Sequence, residues 1–458
     1  MALESSDTKS SLHKLGKDMV LATTRQHGPD GKPYQLSTKP QDKPIIPDLA
    51  IFNFDDEQKP HNSDVSLPRV AECAAHLEFL ETLYVLRQRI FVSKEFDDAM
   101  DIKPNRETKT GHVGDTKTFK DNTFWERRQQ KWPKYIEFAV IRFLAWRRRI
   151  NQGVYETITS DNLPPIDVLM VWHSFMLNPR LYLSHCSDEP LFNLKFPWKH
   201  IHDAVDNDKW SFHLKPAAAA YYQAAFEISH DLFDRFKRWG SESQPYISNQ
   251  LRNCKITTAA GDSTDQRTTY PLLFKTFRSS LAEKLRDAVI RQTAFIDKMN
   301  AHMWIRSPSL EGTMRRSIDR YQKFCKLMKL AKGRTVVPTL DIDLAWHTHQ
   351  CSAKEYGQDM KTLVGKFINH DDTIAKPKLG DGAQETRRLY RIHFGQEYRL
   401  CGCWDCEALQ SELEKAVDGE YEETDMESIA RRVKEEVFYY RAVEWSRRRE
   451  MTLPIRRD

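Results

Sequence analysis

The stretch Asp341-Ile-Asp343-Leu-Ala-Trp346-His347-Thr-His349-Gln-Cys351-Ser-Ala-Lys-Glu-Tyr356 decides how this chain is read, because it has a counterpart upstream. The counterpart is Asp167-Val-Leu-Met-Val-Trp172-His173-Ser-Phe-Met-Leu-Asn-Pro179-Arg-Leu-Tyr182. Aligned on the Trp-His pair, the Asp lies five residues before the Trp and the Tyr ten residues after it in both copies. Trp and His are scarce residues, so this register points to a duplicated unit. Each copy is preceded by a Tyr-x-x-Phe pair, Tyr135-Ile-Glu-Phe138 and Tyr321-Gln-Lys-Phe324, and by a Pro, Pro165 and Pro338. Each unit therefore reads as a long helix, a Pro-containing turn and a Trp-His helix.

The surrounding chain carries the same helical period. Val70, Cys73, His76, Leu77, Leu80, Leu83 and Leu86 recur at three- and four-residue spacing, which predicts an amphipathic helix opening near Pro68. Trp132, Tyr135, Ile136, Phe138, Ile141 and Phe143 predict a second. Further helices are expected over 217–237, 270–303, 312–331, 408–417 and 425–447, and a polar loop over 100–122. Alternating apolar and polar residues are rare, so strands are not expected. The fold class is all-α: a two-lobed helical domain from a degenerate internal duplication, behind a disordered N-terminal leader. The expected organisation is leader 1–65, N-terminal lobe 66–253, polar linker 254–269, C-terminal lobe 270–407 and helical extension 408–458.

Composition bounds the function. The chain has 458 residues, 29% of them charged, and a net charge of only +5. So mild a surplus does not by itself argue for nucleic acid or an anionic membrane; neither is expected as partner, and an unidentified protein or small molecule is left. Arg147-Arg148-Arg149 and Arg447-Arg448-Arg449 read as solvated helix faces. The N-terminus lacks a signal peptide's apolar run, and no stretch approaches the roughly 18 consecutive apolar residues of a membrane helix. The expectation is an intracellular protein, cytoplasmic with the nucleus open, whose thiols stay reduced.

The repeated motif admits two readings. In the architectural one, Asp caps a helix, Trp anchors it, His makes a hydrogen bond and Tyr closes the next turn. In the chemical one, the copies differ where it matters: Asp343 replaces Leu169 and His349 replaces Phe175. Asp343 and His347 are four residues apart on one helix face, a spacing that suits a metal half-site or an acid–base pair. His349 is a third candidate if the helix ends near it. Downstream, His370, Asp371 and Asp372 with His393 formally match the His-x-Asp…His set of non-haem iron proteins, but those present it from strands. Cys401-Gly-Cys403-Trp-Asp-Cys406 gathers three soft ligands in six residues, suited to zinc, to a reactive thiol or simply to a tight turn. No Gly-rich phosphate loop, Gly-x-Ser-x-Gly elbow or kinase signature is present. The donor types suit zinc better than iron, and the cofactor is otherwise unknown.

Pro338-Thr-Leu-Asp-Ile-Asp-Leu-Ala-Trp346-His347-Thr-His349 with Tyr356, Phe196-Pro-Trp198, Arg291-Gln-Thr-Ala-Phe295, His370-Asp371-Asp372 and Phe394-Gly-Gln-Glu-Tyr398 together resemble the glycine-rich-domain-containing-protein-like family of plants and fungi. The Cys-x-Cys-x-x-Cys end and Cys73-Ala-Ala-His76-Leu look like its fungal members, and the resemblance spans roughly residues 68 to 407. It implies no firmly assigned chemistry. Some fungal relatives are labelled oxoglutarate-dependent sulfonate dioxygenases, and secondary metabolism is one implied setting. With 17 Gly in the whole chain, the Gly-rich tail of plant members does not carry over. Two functions stand from the sequence: a helical binding or scaffold protein, or a metal-dependent enzyme with a site between the lobes. In the second, Asp343, His347 and His349 are catalytic, and His370, Asp372, Cys401, Cys403 and Cys406 are further metal-ligand candidates.

Overall fold

The computed structural model describes residues 26–39, 44–55, 65–105, 107–110, 116–119, 121–153, 157–226, 230–241, 280–331, 333–370, 376–417 and 426–457. Helices dominate them. In chain order they are α1 Val70–Val92, α2 Lys94–Ala99, α3 Phe124–Gln129, α4 Lys131–Asn151, α5 Ile166–Met176, α6 Pro179–Cys186, α7 Trp198–Ala204 and α8 Pro216–Phe226. They continue with α9 Leu232–Ser241, α10 Ser280–His302, α11 Leu310–Leu330, α12 Leu340–Gln350, α13 Ala353–Val364, α14 Lys376–Phe394, α15 Trp404–Val417 and α16 Met426–Arg447. The Trp-His helices are α5 and α12. The fold is all-α, as the sequence predicts, and no described helix is long and apolar enough to cross a membrane.

Helix α1 is the axle. It buries residues on every side, including His76, Glu78 and Glu81, and so runs through the interior rather than along a surface. α10, α11 and α12 pack on it from one side of the sequence and α4 and α7 from the other. One continuous apolar core joins these elements, from Phe79 and Trp172 to Phe324 and Trp404. The buried carboxylates on α1 are matched: Glu78 meets the His202 ring at 2.7 Å, and Glu81 accepts from Asn300 at 2.8 Å.

Several elements differ from the sequence expectation. Residues expected as a loop contain an antiparallel hairpin, β1 Glu107–Thr110 on β2 Thr116–Phe119, built from alternating Thr and Lys. A second short pair, β3 Val205–Asp206 and β4 Ser211–Phe212, follows α7. The single helix expected over 217–237 is two helices; Asp231 starts α9 by accepting the Asp234 amide at 3.0 Å. Helix α14 is not among the helices expected from the sequence, and it carries Gly380 and Gly382 in its first two turns. Gly382 is there for room, since a Cβ on it would lie 2.9 Å from Val337 Cγ2. Within the expected leader, two described segments are seated on the C-terminal end: Tyr34 packs edge-to-face on Tyr439 at 6.0 Å and Pro44 O accepts from Arg447 at 2.9 Å. The expected linker 254–269 lies outside the described residues.

Candidate metal centre

The two Trp-His helices share a clip. Trp172 donates its indole N–H to Tyr182 Oη at 3.2 Å, and that hydroxyl donates to Leu191 O at 3.1 Å. Trp346 donates to Tyr356 Oη at 3.0 Å, and Tyr356 donates to Ile368 O at 2.9 Å. The buried indole N–H thus finds its partner ten residues on, and the hydroxyl fastens the loop beyond. The Asp of each copy does not cap its helix: Pro165 and Thr339 stand at the N-cap positions, and neither side chain caps. Each carboxylate instead takes an arginine from the preceding long helix. Asp167 binds Arg142 Nε at 2.6 Å and Asp341 binds Arg320 Nε at 2.5 Å. A charge-assisted pair outcompetes a cap where both groups are taken from water.

The histidines then diverge. His173 on α5 faces His76 of α1, Nε2 to Nε2, at 2.9 Å, and His76 Nδ1 lies 2.9 Å from Thr348 Oγ1 on α12. Thr348 already donates its hydroxyl proton to Leu344 O at 2.8 Å, so it accepts from His76 Nδ1–H. His76 Nε2 is then an acceptor, and His173 Nε2–H donates to it. Burial pushes the His173 imidazole down to about 3 and His76 well below its ordinary value, so both rings are neutral. Phe79, Phe196 and Trp198 wall them in. This histidine pair is a satisfied structural joint that links α5 through α1 to α12.

His347 on α12 has a different setting. Its Nε2 lies 3.2 Å from His370 Nε2 and 3.4 Å from Asp343 Oδ1, and His370 Nε2 is also 3.4 Å from Asp343 Oδ1. Asp343 and His347 come from successive turns of α12. His370 comes from the loop after α13, which ends on the left-handed Gly365, φ +84°. That loop is pinned by Tyr356 at Ile368 and by Asn369, whose side chain accepts the Arg180 amide at 3.0 Å. Phe295 of α10 covers the His347 ring at 4.5 Å, and Trp346 stands edge-on to His370 at 4.9 Å. Asp343 Oδ1 is buried with no hydrogen-bond partner. Burial lifts the Asp343 carboxyl, but His347 and His370 more than offset this and hold it below the usual carboxylate value. Burial, against the pull of Asp343, lowers His347 to about 4, leaving it neutral and able to ligate.

The donor triangle has metal dimensions. Ligands about 2.05 Å from a tetrahedral ion sit about 3.3 Å apart, against about 2.9 Å for neighbours in an octahedron. The observed edges of 3.2, 3.4 and 3.4 Å match the tetrahedral face. The two 3.4 Å edges to Asp343 Oδ1 are also too long for good hydrogen bonds to the carboxylate.

The other sequence candidates fall elsewhere. His349 is turned away: its Nδ1 meets Tyr321 Oη at 2.9 Å and its Nε2 meets Asp359 at 3.0 Å. His393 is exposed on α14 and joins no ligand group among the described residues. Asp371 and Asp372 lie outside the described residues. Cys401, Cys403 and Cys406 form a separate group, with ligand atoms within 4.8 Å of one another. Hydrogen bonds from the Cys403 backbone and thiol hold Cys401 below the ordinary thiol value, whereas the Cys403 contact and burial push Cys406 up to about 12. Sequence reasoning missed His76 and Phe295 as neighbours of the Trp-His histidines, because each reads as one apolar-face residue among many.

Residues 243–359 match the family model described as glycine-rich domain-containing protein-like. Two curated proteins of Arabidopsis thaliana are also similar. Glycine-rich domain-containing protein 1 is 27% identical over 286 residues, which is 58% of this chain and 29% of that protein. Glycine-rich domain-containing protein 2 is 26% identical over 249 residues, 52% of this chain and 26% of its own length. Over these segments the chain is similar to the glycine-rich domain-containing protein-like family. It spans under a third of the length of these relatives. No solved structure matches it. The segment matched by the glycine-rich domain-containing protein-like model contains Asp343 and His347 and stops before His370, which the fold returns to them across α13.

Proposed function

We propose that this protein is a helical metal-binding protein, holding one zinc ion on Asp343 Oδ1, His347 Nε2 and His370 Nε2. The observation that carries the reading is the donor triangle with its buried carboxylate oxygen: three ligating atoms at tetrahedral spacing, with Asp343 Oδ1 lacking a hydrogen-bond partner and only the 3.2 Å contact between the two imidazole nitrogens spanning the site. The ion fastens α12 to the loop after α13. It neutralises a carboxylate that otherwise faces two imidazole rings in the interior. The internal duplication supports this division of labour. One copy closes on a histidine pair, and the other, with Asp343 in place of Leu169, closes on a metal.

A second reading, a metal-dependent enzyme working at the same ion, draws on the ligand count. Three protein ligands leave the fourth position open, as in catalytic zinc sites, and the Asp343 side chain keeps 21% of its surface exposed.

The test is a zinc titration of the metal-stripped full chain followed by thermal unfolding. Zinc at 100 times its Kd should stabilise the wild type by about 2.7 kcal/mol. His370→Ala should remain folded and lose the part of that gain that this site supplies, so that zinc stabilises it less than the wild type. Equal stabilisation of wild type and variant would refute binding at this site.

A further inference from the structure

We infer that Cys401, Cys403 and Cys406 form a second zinc site, independent of the Asp343 centre. Their ligand atoms lie within 4.8 Å of one another, and a small side-chain adjustment brings them to the roughly 3.8 Å spacing of thiolates held about 2.3 Å from a tetrahedral zinc. Their exposure sets them apart. Cys73, Cys186, Cys325 and Cys351 are buried as small apolar groups, whereas Cys401 and Cys406 are exposed and Cys403 half-buried. Three clustered thiols at the surface are open to oxidation unless something ligates them.

The loop that carries them is held in place before any ion arrives. Trp304 donates to Gly402 O at 2.8 Å, and Trp404, fully buried, donates to His302 O at 2.8 Å. Gly402 permits this close approach: a Cβ there would lie 2.9 Å from Trp304 Cζ2. Helix α15 begins at Trp404, with the Glu407 amide bonded to Cys403 O at 3.0 Å. Two thiols therefore flank the positive end of a 14-residue helix. The nearby carboxylates are engaged with cations, Glu407 by Arg316 and Asp405 by Arg441. The site thus takes a soft divalent ion on three thiolates, with water as fourth ligand. Binding displaces the thiol protons.

Cobalt distinguishes the two centres, because only thiolates give an intense ultraviolet ligand-to-cobalt charge-transfer band. Cobalt(II) is titrated into the reduced, metal-stripped full chain, and thiols are counted with a chromogenic disulfide before and after zinc. The wild type should develop the band with one equivalent, and zinc should shield three thiols. The band should persist in His347→Ala and vanish in the Cys401→Ser/Cys403→Ser/Cys406→Ser variant, which should still bind one equivalent without it. If the triple variant does not fold, Cys403→Ser alone should weaken the band at least tenfold in cobalt affinity. A wild-type chain with no band, or with the same three thiols reactive whether or not zinc is present, overturns the proposal and leaves the Asp343 centre untouched.

Discussion

Trp346 donates its indole N–H to the Tyr356 hydroxyl at 3.0 Å, and that hydroxyl in turn holds the carbonyl of Ile368, two residues before His370. The clip that looks purely architectural in the sequence therefore sets where a metal ligand stands. Tyr356→Phe should lower zinc affinity about 10- to 100-fold, the usual effect of removing a group that orients a ligand. Tyr182→Phe removes the equivalent bond at Leu191. It should cost about 1 kcal/mol of stability and leave zinc affinity unchanged. Parallel competition titrations of the two variants check this.

The His76–His173 pair makes stability depend on acid. Both rings are neutral when folded and titrate near pH 6.5 when unfolded, so the unfolded chain binds more protons between that value and about 3 for His173. Stability is whole above pH 6.5 and falls as pH drops, by about 1.4 kcal/mol per pH unit for each ring. His173→Leu should destabilise the protein at neutral pH yet flatten this slope by about half. Denaturant unfolding from pH 7.5 to 4.5 measures it.

Asp167 and Asp341 each stand five residues before the Trp of a Trp-His pair but do not share an environment. The Asp167 and Arg142 side chains are 1% and 2% exposed, whereas Asp341 is 22% exposed. Asp167→Ala should cost about 3–5 kcal/mol, because it strips the carboxylate from a buried arginine. Asp341→Ala should cost less than about half of that, water reaching Arg320 more readily. Chemical denaturation of both variants at one pH decides it.

What the sequence could and could not show follows from the range of each signal. The all-α class, the long helices and both Trp-His helices are legible because their apolar spacing is local. The Trp–Tyr register is legible in the same way, since its members are ten residues apart on one segment, whereas the bond between them emerges only in the fold. The carboxylates read as caps because the arginines that claim them arrive from another helix. Asp343 and His347 stand out by their i, i+4 spacing, but only the loop after α13 brings His370 to them. His349 sits two residues from His347 and yet points to Tyr321 and Asp359, because residues two apart lie on opposite helix faces. His76 gave no signal, since a histidine on an apolar helix face has many roles.

The most direct test is a crystal structure of the zinc-loaded chain with anomalous maps at the zinc edge. The account predicts a peak about 2.0–2.2 Å from Asp343 Oδ1, His347 Nε2 and His370 Nε2 together. A zinc-saturated protein with no density among these three atoms, and the two imidazoles still hydrogen-bonded to each other, would contradict it.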